Sequence, residues 1–234
     1  QVDALLGGWQ KGDLIIIAGR PGMGKTSALM STALSAAKLG ARIGIASQEM
    51  TYEQVIARLA AVETGINLQR LNFGRLDASE VRRFLKAAGM LADLPIHVID
   101  TPGLTPARLR MQALRWLRRG GLDLLMVDYL QIMSSEKMFK GDQRTAEVGF
   151  FARSLKALAK ELRIPVIAAA QLSRGLENRK DKRPVLSDLR ESGEIEQEAD
   201  IVAFLYRDVI YNPNSFNPTL AEFIVAKHRN GPIG

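Results

Sequence analysis

The chain of 234 residues contains no cysteine, which excludes disulfides and Cys-ligated zinc. Histidine occurs twice, as His97 and His228. No H-E-x-x-H pattern is present, so a structural metal site is not expected. The apolar runs are strand-length and fall far short of a membrane span. No secretory leader is visible, which favours the cytoplasm, and the chain has no internal repeat or low-complexity tract. It opens at Gln1 shortly before one strand and stops at Gly234 shortly after another, so both ends read as cuts from something longer.

What remains is a chain with 47% hydrophobic residues, enough for one large α/β domain with a substantial core. Lys plus Arg number 32 against 25 Asp plus Glu, a net charge of +7. That balance permits a nucleic-acid partner without requiring one, since most surface charge only solvates. The basic helix from Thr105-Pro106, with Arg108, Arg115 and Arg119 at helical spacing, reads as such a solvated face over an apolar stripe.

The most specific stretch is Gly19-Arg20-Pro21-Gly22-Met23-Gly24-Lys25-Thr26, which fits G-x-x-x-x-G-K-[ST] in full. At average residue frequencies a chain this long matches by chance on the order of one time in a hundred. Leu14 to Ala18 precedes it as a buried strand, and Ser27 to Leu39 follows as a helix that Gly40 can end. This is the context of a phosphate loop. Glycines let the backbone N–H groups close on a phosphate, and the helix N-terminus favours an anion. Lys25 would reach the β- and γ-phosphates, and the Thr26 hydroxyl would ligate Mg²⁺. ATP and Mg²⁺ are the implied ligands.

Strands alternate with helices along most of the chain. That predicts a mostly parallel central sheet flanked by helices on both faces, with ligands beyond the carboxyl ends of the strands. Three further polar residues end strands. Asp128 follows Leu124-Leu125-Met126-Val127 and would hold Mg²⁺, or else form a turn. Glu49 would take a proton from an attacking water, or else serve as a helix-start acid. Gln171 would sense a γ-phosphate, or else be a buried amide satisfied by backbone. Thr51 with Gln54, and Asp77 with Glu80, form capping-box patterns that start helices. Lys227 and Arg229, with His228 between them, would share one face of a last strand. His97 reads as a core or edge histidine.

Together these segments resemble the RecA-like P-loop motor domain of DnaB-type bacterial replicative helicases. The likeness covers nearly the whole chain. It rests on Leu5-Leu6-Gly7-Gly8, the phosphate loop, Gln48-Glu49-Met50, Val127-Asp128-Tyr129-Leu130-Gln131 and Arg153 to Leu162. Gln171-Leu172-Ser173-Arg174, Ser187 to Gly193 and Lys227-His228-Arg229-Asn230-Gly231 complete it. Gln48, Gly149-Phe150-Phe151-Ala152 and His228 depart from the family pattern, and none removes a catalytic group. Phe150-Phe151 reads as an exposed aromatic pair.

The resemblance implies a single motor domain over residues 1–234, whose collar domain and linker lie outside this chain. It implies a homo-oligomeric, hexameric ring that hydrolyses ATP between subunits and translocates on single-stranded DNA in the bacterial replisome. Primase and a helicase loader are its implied partners, and no membrane. Glu49 is then the catalytic glutamate, Gln171 the sensor, and Arg229 with Lys227 the cations serving a neighbour's ATP. Arg190, Glu191 and Gly193 fall in a DNA-facing loop, with Arg174, Arg179, Lys180 and Lys182 as the reserve. A RecA-like recombinase or DNA-repair ATPase, and an ATP-gated ring scaffold that does not unwind, are the competing readings. Strong stimulation of ATPase by single-stranded DNA would count against the scaffold.

Overall fold

The computed structural model describes residues 2–133 and 144–234, with backbone alone at 3, 4, 132, 144, 145 and 190–192. Most of the loop expected between Ser134 and Thr145 therefore lies outside the described residues. The elements run α1 (Val2–Leu6), β1 (Leu14–Gly19), α2 (Lys25–Lys38), β2 (Ile43–Ser47), α3 (Tyr52–Thr64), α4 (Leu68–Asn72), α5 (Ala78–Asp93) and β3 (Ile96–Ile99). They continue as α6 (Pro106–Arg119), β4 (Leu124–Asp128), α7 (Arg144–Leu162), β5 (Val166–Gln171), α8 (Gly193–Glu198), β6 (Ile201–Tyr206) and β7 (Glu222–His228).

Local chemistry sets many of these boundaries. Thr51 and Asp77 each accept the backbone N–H three residues on, while Gln54 and Glu80 reciprocate, so both capping boxes form. Thr105 caps α6 with proline in its first turn, and Gly65 ends α3 in the left-handed conformation at φ 69°. The inner strands β1, β2, β4, β5 and β6 hold the apolar runs and are buried on both faces, while the edge strands β3 and β7 are only partly buried.

The sheet has seven strands in the order β3-β2-β4-β5-β1-β6-β7. All neighbours are parallel except β6 and β7, which are antiparallel. This is a RecA-like P-loop fold. Along β1, Leu14, Ile16 and Ala18 face a core shared with α6 and α7, which includes Leu109, Trp116, Phe151 and Leu155. Ile15 and Ile17 face the opposite core, with Leu29, Met30, Val55 and Leu59 from α2 and α3. The alternation of a strand thus divides one apolar run between two helical layers.

The aromatic pair departs from its expectation. Phe151 is 1% exposed and packs in the α7 face of the core, and the partly buried Phe150 packs against the same cluster. One apolar face of α7 is wide enough to include both. The basic face of α6 is solvent-facing as expected, over buried Leu109 and Trp116. His97 lies on the edge strand β3 and stacks on Trp116. Among the described residues, no helix is long and apolar enough to cross a membrane.

Candidate functional site

The strand order brings the carboxyl ends of β1, β2, β4 and β5 to one edge. A cavity of about 610 Å³ opens there, lined by Gly22, Gly24, Lys25, Thr26, Glu49, Asp128 and Gln171 among others. The four strand-end groups expected to converge are therefore together. Gly22 and Gly24 sit at φ 81° and 95°, where any side chain would be strained. Gly19 is needed for a different reason: an added Cβ would lie 3.1 Å from the Leu205 carbonyl oxygen.

Within the loop, Lys25 Nζ donates to the carbonyl oxygens of Gly19 at 2.8 Å and Arg20 at 3.3 Å. Burial lowers the Lys25 pKa, against the opposing pull of Asp128 and Glu49. The Thr26 hydroxyl donates to Asp128 Oδ2 at 2.9 Å. Burial raises the Asp128 pKa, only partly offset by that hydrogen bond. A hydroxyl beside a poorly solvated carboxylate is a set of hard oxygen donors, and it fits Mg²⁺ held jointly with phosphate oxygens.

Glu49 is exposed at the cavity wall. Its position follows from the buried Ser47, whose hydroxyl donates to the Met50 carbonyl at 2.7 Å and accepts the Met50 N–H at 3.1 Å. This closes the turn that carries Glu49. Gln48 reaches the opposite way and accepts the Leu104 N–H at 3.1 Å. Gln171 lines the cavity, and its backbone is held on both sides by one side chain. Gln131 Nε2 donates to the Gln171 carbonyl at 3.0 Å and Gln131 Oε1 accepts its N–H at 3.1 Å.

Arg20 contributes its backbone to the loop, but its side chain turns away from the cavity. It donates to Glu177 and to the Leu172 carbonyl. Lys227 and Arg229 are not near the cavity of their own chain. In the β6–β7 register His228 pairs with Ile201, and Ile201 lies opposite Ile15 at the start of β1. The two cations are therefore at the opposite end of the sheet from the phosphate loop. There Lys227 donates to the Glu196 carbonyl and Arg229 to that of Gln197 at 3.0 Å. Arg229 also pairs with Asp200 Oδ1 at 3.0 Å, and Asp200 in turn pairs with the buried Lys156. Gly193 opens α8, exposed and with open space around it. The backbone of Arg190 and Glu191 continues the 3-10 segment Leu186–Ser192, and their side chains lie outside what is described.

Sequence reasoning missed Arg58, Arg207 and Gln131. Gln54 and Arg58 are four apart on α3 and both line the cavity, a spacing that places them on one face. Arg207 follows directly after β6 and also lines the cavity, so its place at a strand's carboxyl end was a readable signal. Gln131 carried no local signal, because its partner lies forty residues away.

The family model described as "DnaB-like helicase C terminal domain" matches residues 1–234. The chain is 44% identical over 235 residues to the replicative DNA helicase DnaB of Geobacillus stearothermophilus, covering 100% of this chain and 52% of that protein. It is 48% identical over 237 residues to the replicative DNA helicase DnaB of Pasteurella multocida, covering 100% of this chain and 50% of that protein. It spans about half the length of these curated relatives. Among solved structures, the ATPase domain of G40P superposes with a TM-score of 0.94 at 35% identity, over 100% of this chain and 83% of that one. A DnaB-like replicative helicase, described with its interactions with primase, superposes with a TM-score of 0.95 at 35% identity, over 100% and 56%.

Proposed function

The chain belongs to the DnaB-like helicase C-terminal domain family, and from that premise we propose that it is the ATP-hydrolysing motor of a replicative DNA helicase. The observation that carries this reading is the convergence of Lys25, the Thr26–Asp128 pair, Glu49 and Gln171 from four strand ends into one cavity. In the whole protein the motor works in a homo-hexameric ring on single-stranded DNA, in the cytoplasm. Primase and a loader are its proposed partners.

Phosphoryl transfer to water is governed by positioning and charge. Lys25 places its charge on the β- and γ-phosphates. Thr26 and Asp128 hold Mg²⁺, which when bound neutralises charge on the phosphate oxygens. Glu49 orients the attacking water and accepts its proton, a role its exposure at the wall allows. Gln171 reads the γ-phosphate. Arg229, with Lys227, serves the next subunit's nucleotide, which its place at the far end of the sheet supports. Arg190, Glu191 and Gly193 carry the DNA contact. Arg190 neutralises a phosphate, the Gly193 N–H approaches another, and Glu191 orients Arg190.

The test is ATPase of the assembled protein with and without single-stranded DNA, together with particle shape by electron microscopy. We expect rings, stimulation by DNA, and no turnover in Lys25→Ala. Turnover unchanged in Lys25→Ala would overturn the site. Turnover indifferent to DNA would overturn the motor and favour a scaffold. For the DNA contact, Arg190→Ala should weaken single-strand binding equally on unrelated sequences. The slope of log affinity against log salt should shrink by about 0.7. Unchanged affinity and slope would move the contact to Arg174, Arg179, Lys180 and Lys182.

A further inference from the structure

The Arg20 side chain leaves the nucleotide cavity for another part of the fold. Strands β1 and β5 pair up to Gly19 and Gln171, and the Arg20 side chain crosses just beyond the last pair. Its guanidinium donates to the Leu172 carbonyl at 3.0 Å through Nη1, and to Glu177 Oε1 at 2.9 and 2.6 Å through Nε and Nη2. The arginine side chain is 10% exposed and the glutamate 45%. A planar, permanently charged group held by three hydrogen bonds to two acceptors is stiff, and a displacement at one end reaches the other.

Both ends of this arm meet elements that matter. At the near end, the Arg20 carbonyl and that of Gly19 accept from Lys25 Nζ. A triphosphate competes for the same ammonium, so the peptide carrying Arg20 is where binding changes the loop's bonding. At the far end, Glu177 lies in the 3-10 helix Arg174–Asn178. Lys182 donates to the Glu177 carbonyl. Arg179, the next residue after that helix, pairs with Asp188 at 2.8 Å. Asp188 also accepts the Val185 N–H at 2.8 Å, and its carbonyl accepts the Ser173 N–H at 3.2 Å. Residues 172–188 are thereby closed into one hydrogen-bonded unit, and this unit runs directly into the segment proposed to touch DNA.

We propose that the Arg20–Glu177 pair is the mechanical link through which the phosphate loop and the 172–188 unit report to each other, so that nucleotide and single-stranded DNA bind cooperatively. The proposal rests on the motor reading above. Arg20 and Glu177 touch neither phosphate nor DNA in this role; they are positioning residues.

The experiment measures single-stranded DNA affinity with and without a non-hydrolysable ATP analogue, using the full-length protein and Glu177→Ala and Glu177→Gln variants. In the wild type the analogue should tighten DNA binding by roughly 5- to 150-fold, the usual range for coupled sites. In Glu177→Ala that ratio should fall towards one. DNA affinity without nucleotide and nucleotide affinity without DNA should stay at wild-type values, while the melting temperature falls because the largely buried Arg20 loses its counter-charge. Glu177→Gln keeps an oxygen acceptor for Arg20 and should retain an intermediate ratio. A merely structural role would lower the separate affinities along with the melting temperature, and would leave the ratio alone. A wild-type ratio in both variants overturns the link while leaving the motor standing. A wild-type protein that does not bind single-stranded DNA overturns the motor reading, and the link falls with it.

Discussion

If Arg229 serves a neighbouring subunit, two inactive proteins should restore each other. His228 lies level with Ile15, four residues before Gly19. That is roughly 13 Å along the strands, with two strands, ~10 Å, to the side. No arginine side chain spans that gap within one chain. Arg229→Ala should therefore leave ATP binding by its own subunit nearly intact. It should lower turnover by roughly three to five orders of magnitude, the range for arginine fingers, or about 4–7 kcal/mol of barrier. Lys25→Ala removes the other half of the same interface. In a head-to-tail ring mixed one to one, about a quarter of interfaces join an intact Lys25 to an intact Arg229. Basal ATPase should then rise from background to a clear fraction of wild type and peak near equal mixing. The assay is phosphate release across a series of ratios, with subunit exchange confirmed by mass labelling. No recovery at any ratio, with exchange confirmed, would refute the assignment in trans.

Three further outcomes follow from the site and its surroundings. Glu49→Gln should keep ATP binding and lose about two to four orders of magnitude in turnover; normal hydrolysis would shift the base elsewhere, with Glu53 the next carboxylate to test. Burial raises the Asp128 pKa in the folded chain, so the folded state holds that proton more tightly than the unfolded state does. The destabilisation is therefore present while Asp128 is ionised, at neutral pH, and is relieved as pH falls through its raised value. Asp128→Asn should raise the melting temperature of the nucleotide-free protein at pH 7, by an amount that vanishes in acid, while Mg²⁺-dependent turnover collapses. A lower melting temperature at pH 7 would contradict that sign. Gly44→Ala would set a methyl 2.7 Å from the Trp116 ring and should cost about 1–3 kcal/mol of stability, read by denaturant unfolding and relieved in part by Trp116→Leu.

The sequence by itself determined the elements and most of the chemistry at their ends. The phosphate loop, both capping boxes, and Asp128 and Gln171 at strand ends are local patterns, settled by glycine conformations, cap hydrogen bonds and apolar runs. Tertiary structure decided what those ends meet. Strands buried on both faces carry no alternation that tells one neighbour from another, so the insertion of β4 and β5 between β2 and β1 could not be read from the strands themselves. Yet that order is what sets Glu49, Asp128 and Gln171 around Lys25. The antiparallel turn of β7 sends Arg229 to the far end of the sheet. The direction of the Arg20 side chain depends on Glu177, 157 residues away. In each case the deciding contact joins residues far apart in the chain, and its energy exists only once the sheet has brought them together.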